Sequence, residues 1–108
     1  MRFMLMLCGD ETAEASAEVM TGCAEWQREM RGRGVLLDAL GLHPPASAGT
    51  VRVRAGEVLL TDGPFAETKE QMGGVTLIDC ADRDEALRIA ASHPWAEFGT
   101  IEVRQLYG

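Results

Sequence analysis

Nine consecutive residues hold the densest set of reactive side chains in this chain. Asp62-Gly63-Pro64-Phe65-Ala66-Glu67-Thr68-Lys69-Glu70 places three carboxylates, an ammonium and a hydroxyl in one short segment. Loops held by rigid strands commonly carry function. Asp62 has the chemistry of a general base, or of a group that orients a substrate. Lys69 can hold an anionic group, and Arg104, far along the chain, can do so bidentately. Phe65 either anchors the loop into the core or lids a space beneath it. A plainer reading stands beside this one. Asp-Gly-Pro is a strong turn signal whose carboxylate accepts nearby backbone N–H groups, and Glu67, Lys69 and Glu70 would then be a solvated face.

The other reactive side chains are less organised. His43 precedes Pro44-Pro45 and His93 precedes Pro94; neither has metal-ligand spacing, and both are expected in solvent-exposed loops. Ser16, Ser47 and Ser92 lack the G-x-S-x-G context of acyl transfer. Gly73-Gly74 lacks the frame of a phosphate-binding loop. Cys8, Cys23 and Cys80 are odd in number and show no CxxC pair, so neither a disulfide framework nor a zinc site is signalled. Each is expected as a small buried hydrophobe. No cofactor or metal is called for.

The elements that position these residues follow from periodicity. Arg2 to Cys8 is apolar on both alternating faces, which predicts a strand buried on both sides. From about Ala13 to Arg33 the pattern is helical, with Val19, Cys23, Trp26 and Met30 as one stripe. Gly34 to Leu42 reads as a second strand. His43 to Gly49 is a turn-rich loop. Thr50–Ala55 and Val58–Thr61 form a hairpin turning at Gly56-Glu57. Val75 to Cys80 is again apolar on both faces. Asp82 with Glu85 has capping-box spacing, and a helix follows to about Ser92 with Ala86, Leu87, Ala90 and Ala91 inward, stopped by Pro94. Thr100 to Leu106 closes the chain as a strand.

This order is that of an α+β, ferredoxin-like split βαβ: an antiparallel sheet with two helices on one face and an extra β-hairpin. Two helices cover one face, yet two strands are apolar on both. A second copy of the sheet is the symmetric way to cover the other, so a homodimer packed sheet to sheet is expected.

The chain has 108 residues, the size of one domain spanning 1–108. Its 17 acidic and 10 basic side chains give a net charge of -7, which argues against direct nucleic-acid binding and against an anionic membrane surface as partner. No apolar run approaches the ~20 residues of a membrane span. The apolar start is too short for a signal peptide, so the cytoplasm is the expected compartment.

The run Thr61–Gly74 resembles the signature of the DGPF-domain proteins, part of the YCII-related family. The similarity continues through Met4–Glu11, Gly34–Leu37, Asp84–Leu87 and Gly99–Arg104, nearly the whole chain. The resemblance implies a ferredoxin-like fold that dimerises through its sheet, the dimeric α+β barrel. It also implies bacterial origin and an accessory role beside extracytoplasmic-function sigma factors. In the wider family a His–Asp pair in a cleft is the proposed acid–base apparatus, and a few relatives act on chlorinated or hydroxylated aromatics. At the matching positions this chain has Cys23 and His93, so that mechanism is not carried over. It also has Val75-Thr76 where an aromatic usually follows the paired glycines, and Gln105 where proline usually follows the last strand's arginine.

The resulting expectation is a homodimeric small-molecule-binding protein or sigma-factor-associated accessory protein. Its site would draw on Asp62, Gly63, Pro64, Phe65, Glu67, Lys69, Glu70 and Arg104, and its ligand would be a small anionic or oxygenated compound. The alternative is a lyase or isomerase acting on a small oxygenated or aromatic compound, with Asp62 as acid or base. A third reading makes the motif purely structural.

Overall fold

The computed structural model describes residues 1–10, 13–66 and 70–108. It has six strands among those residues: β1 (Arg2–Asp10), β2 (Leu36–Gly41), β3 (Gly49–Arg54), β4 (Glu57–Asp62), β5 (Glu70–Asp79) and β6 (Thr100–Gln105). The helices are α1 (Ala17–Gly32), α2 (Arg83–Ala91) and α3 (Trp95–Phe98). The architecture is α+β. A four-stranded sheet runs in the order β2-β5-β1-β6, antiparallel at every pairing, and β3 and β4 pair as a separate two-stranded hairpin.

The helix starts have local causes. α1 begins at Ala17 because Ser16 caps it: the Ser16 hydroxyl accepts the Val19 N–H at 3.2 Å. α2 begins after Asp82, whose carboxylate accepts the Glu85 N–H at 2.9 Å. The Glu85 side chain reaches back to the Ala81 N–H at 3.1 Å, one residue before the usual capping-box target.

The structure departs from two sequence expectations and adds to a third. The buried stripe of α2 is Ala86, Ile89 and Ala90, whereas Leu87 is 39% exposed. Those three positions fall at i, i+3 and i+4, and Leu87 lies on the outer flank. Pro94 ends α2 but also starts α3, where its missing N–H costs nothing in a first turn. The hairpin turns at Ala55-Gly56, with φ of 51° and 77°, instead of Gly56-Glu57. Two left-handed residues in succession suit the twist of a two-residue hairpin loop.

The core forms between one sheet face and the two longer helices. Phe3 and Leu5 of β1 and Ile78 of β5 pack with Trp26 and Met30 of α1 and with Ala86, Ile89 and Ala90 of α2. The alternate residues Met4, Met6, Cys8, Val75 and Leu77 lie on the opposite face and are only half-buried. The two-sided apolar pattern of these strands is therefore real, and the chain itself covers one side of it. The hairpin is nearly all exposed, Leu60 at 75%. The molecule measures 47 × 36 × 19 Å with a radius of gyration of 15.7 Å. A compact chain of this length would have about 13 Å, so the protein is flat and extended.

Candidate functional site

The Asp62–Ala66 turn is built on the end of the hairpin. Gly63 sits at φ 93°, a conformation L side chains rarely adopt, which accounts for glycine there. Its N–H donates to the Ala48 carbonyl at 2.7 Å, and its own carbonyl accepts the Thr50 hydroxyl at 2.8 Å. Gln71 donates from Nε2 to the Ala66 carbonyl at 2.9 Å. Phe65 is 72% exposed and anchors in no core; the Arg52 guanidinium lies 4.5 Å from its ring centroid instead. The Asp62 carboxylate is exposed and makes no hydrogen bond among the described residues. It lines a depression walled by the hairpin itself, through Gly49, Thr50, Val51, Leu60 and Thr61. Glu67 and Lys69 lie outside the described residues.

Arg104 belongs to another surface. It stands in β6 opposite Met4 and meets Glu102 at 3.4 Å, both side chains exposed. Such a pair contributes little to stability. Glu70, at the start of β5, accepts the Thr100 hydroxyl at 3.1 Å. These groups border the half-buried sheet face. Burial there pushes the Cys8 thiol pKa up, and the Glu102 and Glu70 charges push it further. The geometry thus brings Glu70 and Arg104 to the main sheet and leaves Asp62, Gly63, Pro64 and Phe65 on the hairpin. No hydrogen bond or ion pair joins Asp62 to Arg104 among the described residues.

A cavity of about 160 Å³ lies elsewhere, between α1 and the β2–β5 strands. Leu7, Met20, Ala39, Leu40 and Val75 supply its apolar wall, and Cys23 and His93 both line it. Cys23 and His93, far apart in the chain, therefore share one cavity. His93 is the largest departure from sequence expectation: it is buried, 1% exposed, and not a loop residue in solvent. Its ring packs 4.3 Å from the Trp26 ring, centroid to centroid. Its Nδ1 accepts the Trp95 N–H at 3.0 Å. Trp95 is fixed in turn by its indole N–H, which donates to the Cys8 carbonyl at 3.0 Å. Gly99 permits that approach, since a Cβ there would run into the Cys8 carbonyl oxygen and the Trp95 indole nitrogen.

Burial sets the charge state of this site. It lowers the His93 pKa to about 4, so the ring is neutral at pH 7. It raises the Cys23 pKa, partly opposed by the Trp95 backbone N–H, so the thiol keeps its proton. A histidine with a folded pKa near 4 and an unfolded value near 6.5 binds fewer protons in the folded state between those values. Its contribution is intact above about pH 6.5 and is lost as the pH falls toward 4, by about 3 kcal/mol in all. Urea unfolding of wild type and His93→Phe should show that extra loss in the wild type alone. Carboxylates common to both proteins cancel in the difference; equal pH slopes would refute the burial argument.

No cluster of three or more metal-ligating side chains occurs among the described residues. Nor is any helix there long and apolar enough to cross a membrane. In comparisons with known proteins, the YCII-related domain matches residues 1–107. An uncharacterized protein of Rhizobium meliloti (strain 1021) is 44% identical over 95 residues, spanning 86% of this chain and 77% of its own.

Proposed function

The chain belongs to the YCII-related domain family, and from that premise we propose that it is a homodimeric small-molecule-binding protein. The observation that carries this reading is the second face of the main sheet. Met4, Met6, Cys8, Val75 and Leu77 form a half-buried apolar surface on the face opposite the helix-packed core. The strand order β2-β5-β1-β6 supports a ferredoxin-like arrangement, and a second copy laid on that face would give the dimeric α+β barrel. The extended hairpin, with exposed Val51, Val53, Val58 and Leu60, supports the same dimer as an arm reaching past its own sheet. The cavity supports binding, and Leu40 and Val75 bring it to the margin of that second face. Arg104 is the exposed cation that an anionic ligand would meet, and on a separate surface the exposed Asp62 carboxylate could accept from a hydroxylated one.

Three free cysteines favour a reducing compartment such as the cytoplasm, and the Rhizobium relative favours bacterial origin. An accessory role beside a sigma factor would need a protein partner, because a net charge of -7 opposes direct contact with DNA. The exposed, unpaired Asp62 carboxylate supports a second reading, a lyase or isomerase with Asp62 as acid or base.

A thermal-shift screen against a broad metabolite set, run on wild type and Asp62→Asn, tests the binding reading. A ligand at 100 times its Kd adds about 2.7 kcal/mol, a shift of roughly 10 °C for a chain of this size. A hit lost in Asp62→Asn puts the site at the turn, and turnover of that hit by wild type alone would establish the enzyme. A hit retained in the variant puts the site elsewhere. No hit overturns the binding reading.

A further inference from the structure

The β3–β4 hairpin has two unlike faces. Its register sets Val51 opposite Leu60 and Val53 opposite Val58. Alternate residues of a strand share a face, so these four side chains form one apolar patch, with Asp62 at its end. Arg52, Arg54 and Glu57 lie on the other face. All four apolar side chains are more than half exposed. A two-stranded hairpin alone is marginally stable in water, and this one pairs with no other strand among the described residues. Its polar face suits water; its apolar face calls for cover.

Area and continuity say what the cover is. The chain exposes 7452 Å², where a folded monomer of 11.7 kDa exposes about 5,900 Å². The surplus is about 1,600 Å² per chain. For two chains that is about 3,200 Å², inside the range of roughly 2,000–5,000 Å² that obligate homodimers bury. The hairpin is inserted between β2 and β5 and leaves the sheet just past Leu40, which pairs with Val75 of the second sheet face. A second copy laid on that face therefore meets the hairpin next. An anionic lipid surface fits less well, because the net charge of -7 opposes it.

We propose that the apolar hairpin face is buried on a second copy of this chain, and that the covering subunit supplies the missing wall of the Asp62 depression. Every residue lining that depression belongs to the hairpin, so within one chain it stays open. Asp62 stands at the end of the ladder, opposite Gly49. The carboxylate therefore borders the covered patch and meets what enters between the two subunits. Burying it outright would be costly. The inference rests on the homodimer reading above and deepens it: the site at the turn belongs to the dimer and not to the single chain.

The test uses the full chain. Sedimentation velocity gives the wild-type dimer dissociation constant. Val53→Lys combined with Val58→Glu replaces the middle of the apolar patch by an opposite-charge cross-strand pair, which a solvated hairpin accepts and a buried one does not. The expected result is a dissociation constant raised at least about tenfold, with circular dichroism unchanged. Carboxylate labelling with a carbodiimide and glycine ethyl ester, read by mass spectrometry, then compares wild type above and below its dissociation constant. Asp62 should react more slowly in the dimer, and Glu57, on the opposite hairpin face, equally in both. This wild-type arm stands even where the variant does not fold. A dissociation constant unchanged in the double variant, or Asp62 labelled equally fast in monomer and dimer, would overturn this inference and leave the dimer standing. Hairpin side chains protected by neutral lipid vesicles and not by dimerisation would overturn it in favour of a membrane. A wild type that is monomeric at micromolar concentration overturns the homodimer reading and this inference together.

Discussion

Trp26→Ala should cost about 3–5 kcal/mol, the usual range for removing a buried tryptophan. It should be read as a fall in the urea midpoint with the slope unchanged. Trp26 is in the core of α1, and its indole N–H donates to the Ser92 hydroxyl at 2.9 Å. Its ring is also the surface against which His93 packs. Truncation therefore opens a void and strips one face of the buried histidine together. Trp26→Phe keeps most of the packing and loses the hydrogen bond, so it should cost far less. A loss below about 0.5 kcal/mol for the alanine variant, within the range of an ordinary surface change, would show that α1 is not held as described.

The second large effect concerns assembly. Met6 lies on the second sheet face, opposite Glu102 of β6 and Val75 of β5. Met6→Asp would place a charge in the proposed sheet-to-sheet interface, and two-fold symmetry would place it there twice. Burying an unpaired carboxylate is prohibitive, and the neighbouring Glu102 adds like charge. The dimer dissociation constant should rise at least about 100-fold, seen by sedimentation velocity as a monomer at micromolar concentration. The circular dichroism of that monomer should match wild type, because Met6 lies outside the helix-packed core of a single chain. Wild type that is itself monomeric at micromolar concentration, or a variant that stays dimeric, would rule out packing through this face.

Most of the fold was legible from local pattern. The strands β1 and β5 announced themselves by apolar residues on both faces, and α1 by the stripe ending in Cys23, Trp26 and Met30. What escaped was set by distant contacts or by choices of one residue. The Ser16 cap trims α1 by several residues, and α3 is a single turn made by packing against β6. The cavity escaped altogether, because α1, β1, β2, β5 and the segment after α2 all contribute to it, and no spacing along the chain relates them. One signal for His93 was present. Ala86, Ile89, Ala90 and His93 fall at i, i+3, i+4 and i+7, so the histidine extends the buried stripe of α2 past its end. The proline after it suggested a loop and concealed that continuity. The turn at Asp62–Phe65 was legible as a turn, and the structure adds that Phe65 stays outside the core.

The strand order has a consequence for how the chain is made. β1 is synthesised before the other strands, yet both of its neighbours, β5 and β6, lie in the second half of the sequence. β2 also pairs only with β5. A ribosome adding about 5–20 residues per second therefore leaves Phe3, Met4, Leu5, Met6 and Leu7 without a partner strand for several seconds. During that time the nascent chain presents an apolar strand with two open edges, the kind of segment that recruits other chains. Native pairing waits on β5, and from its completion the sheet can close from the middle outward.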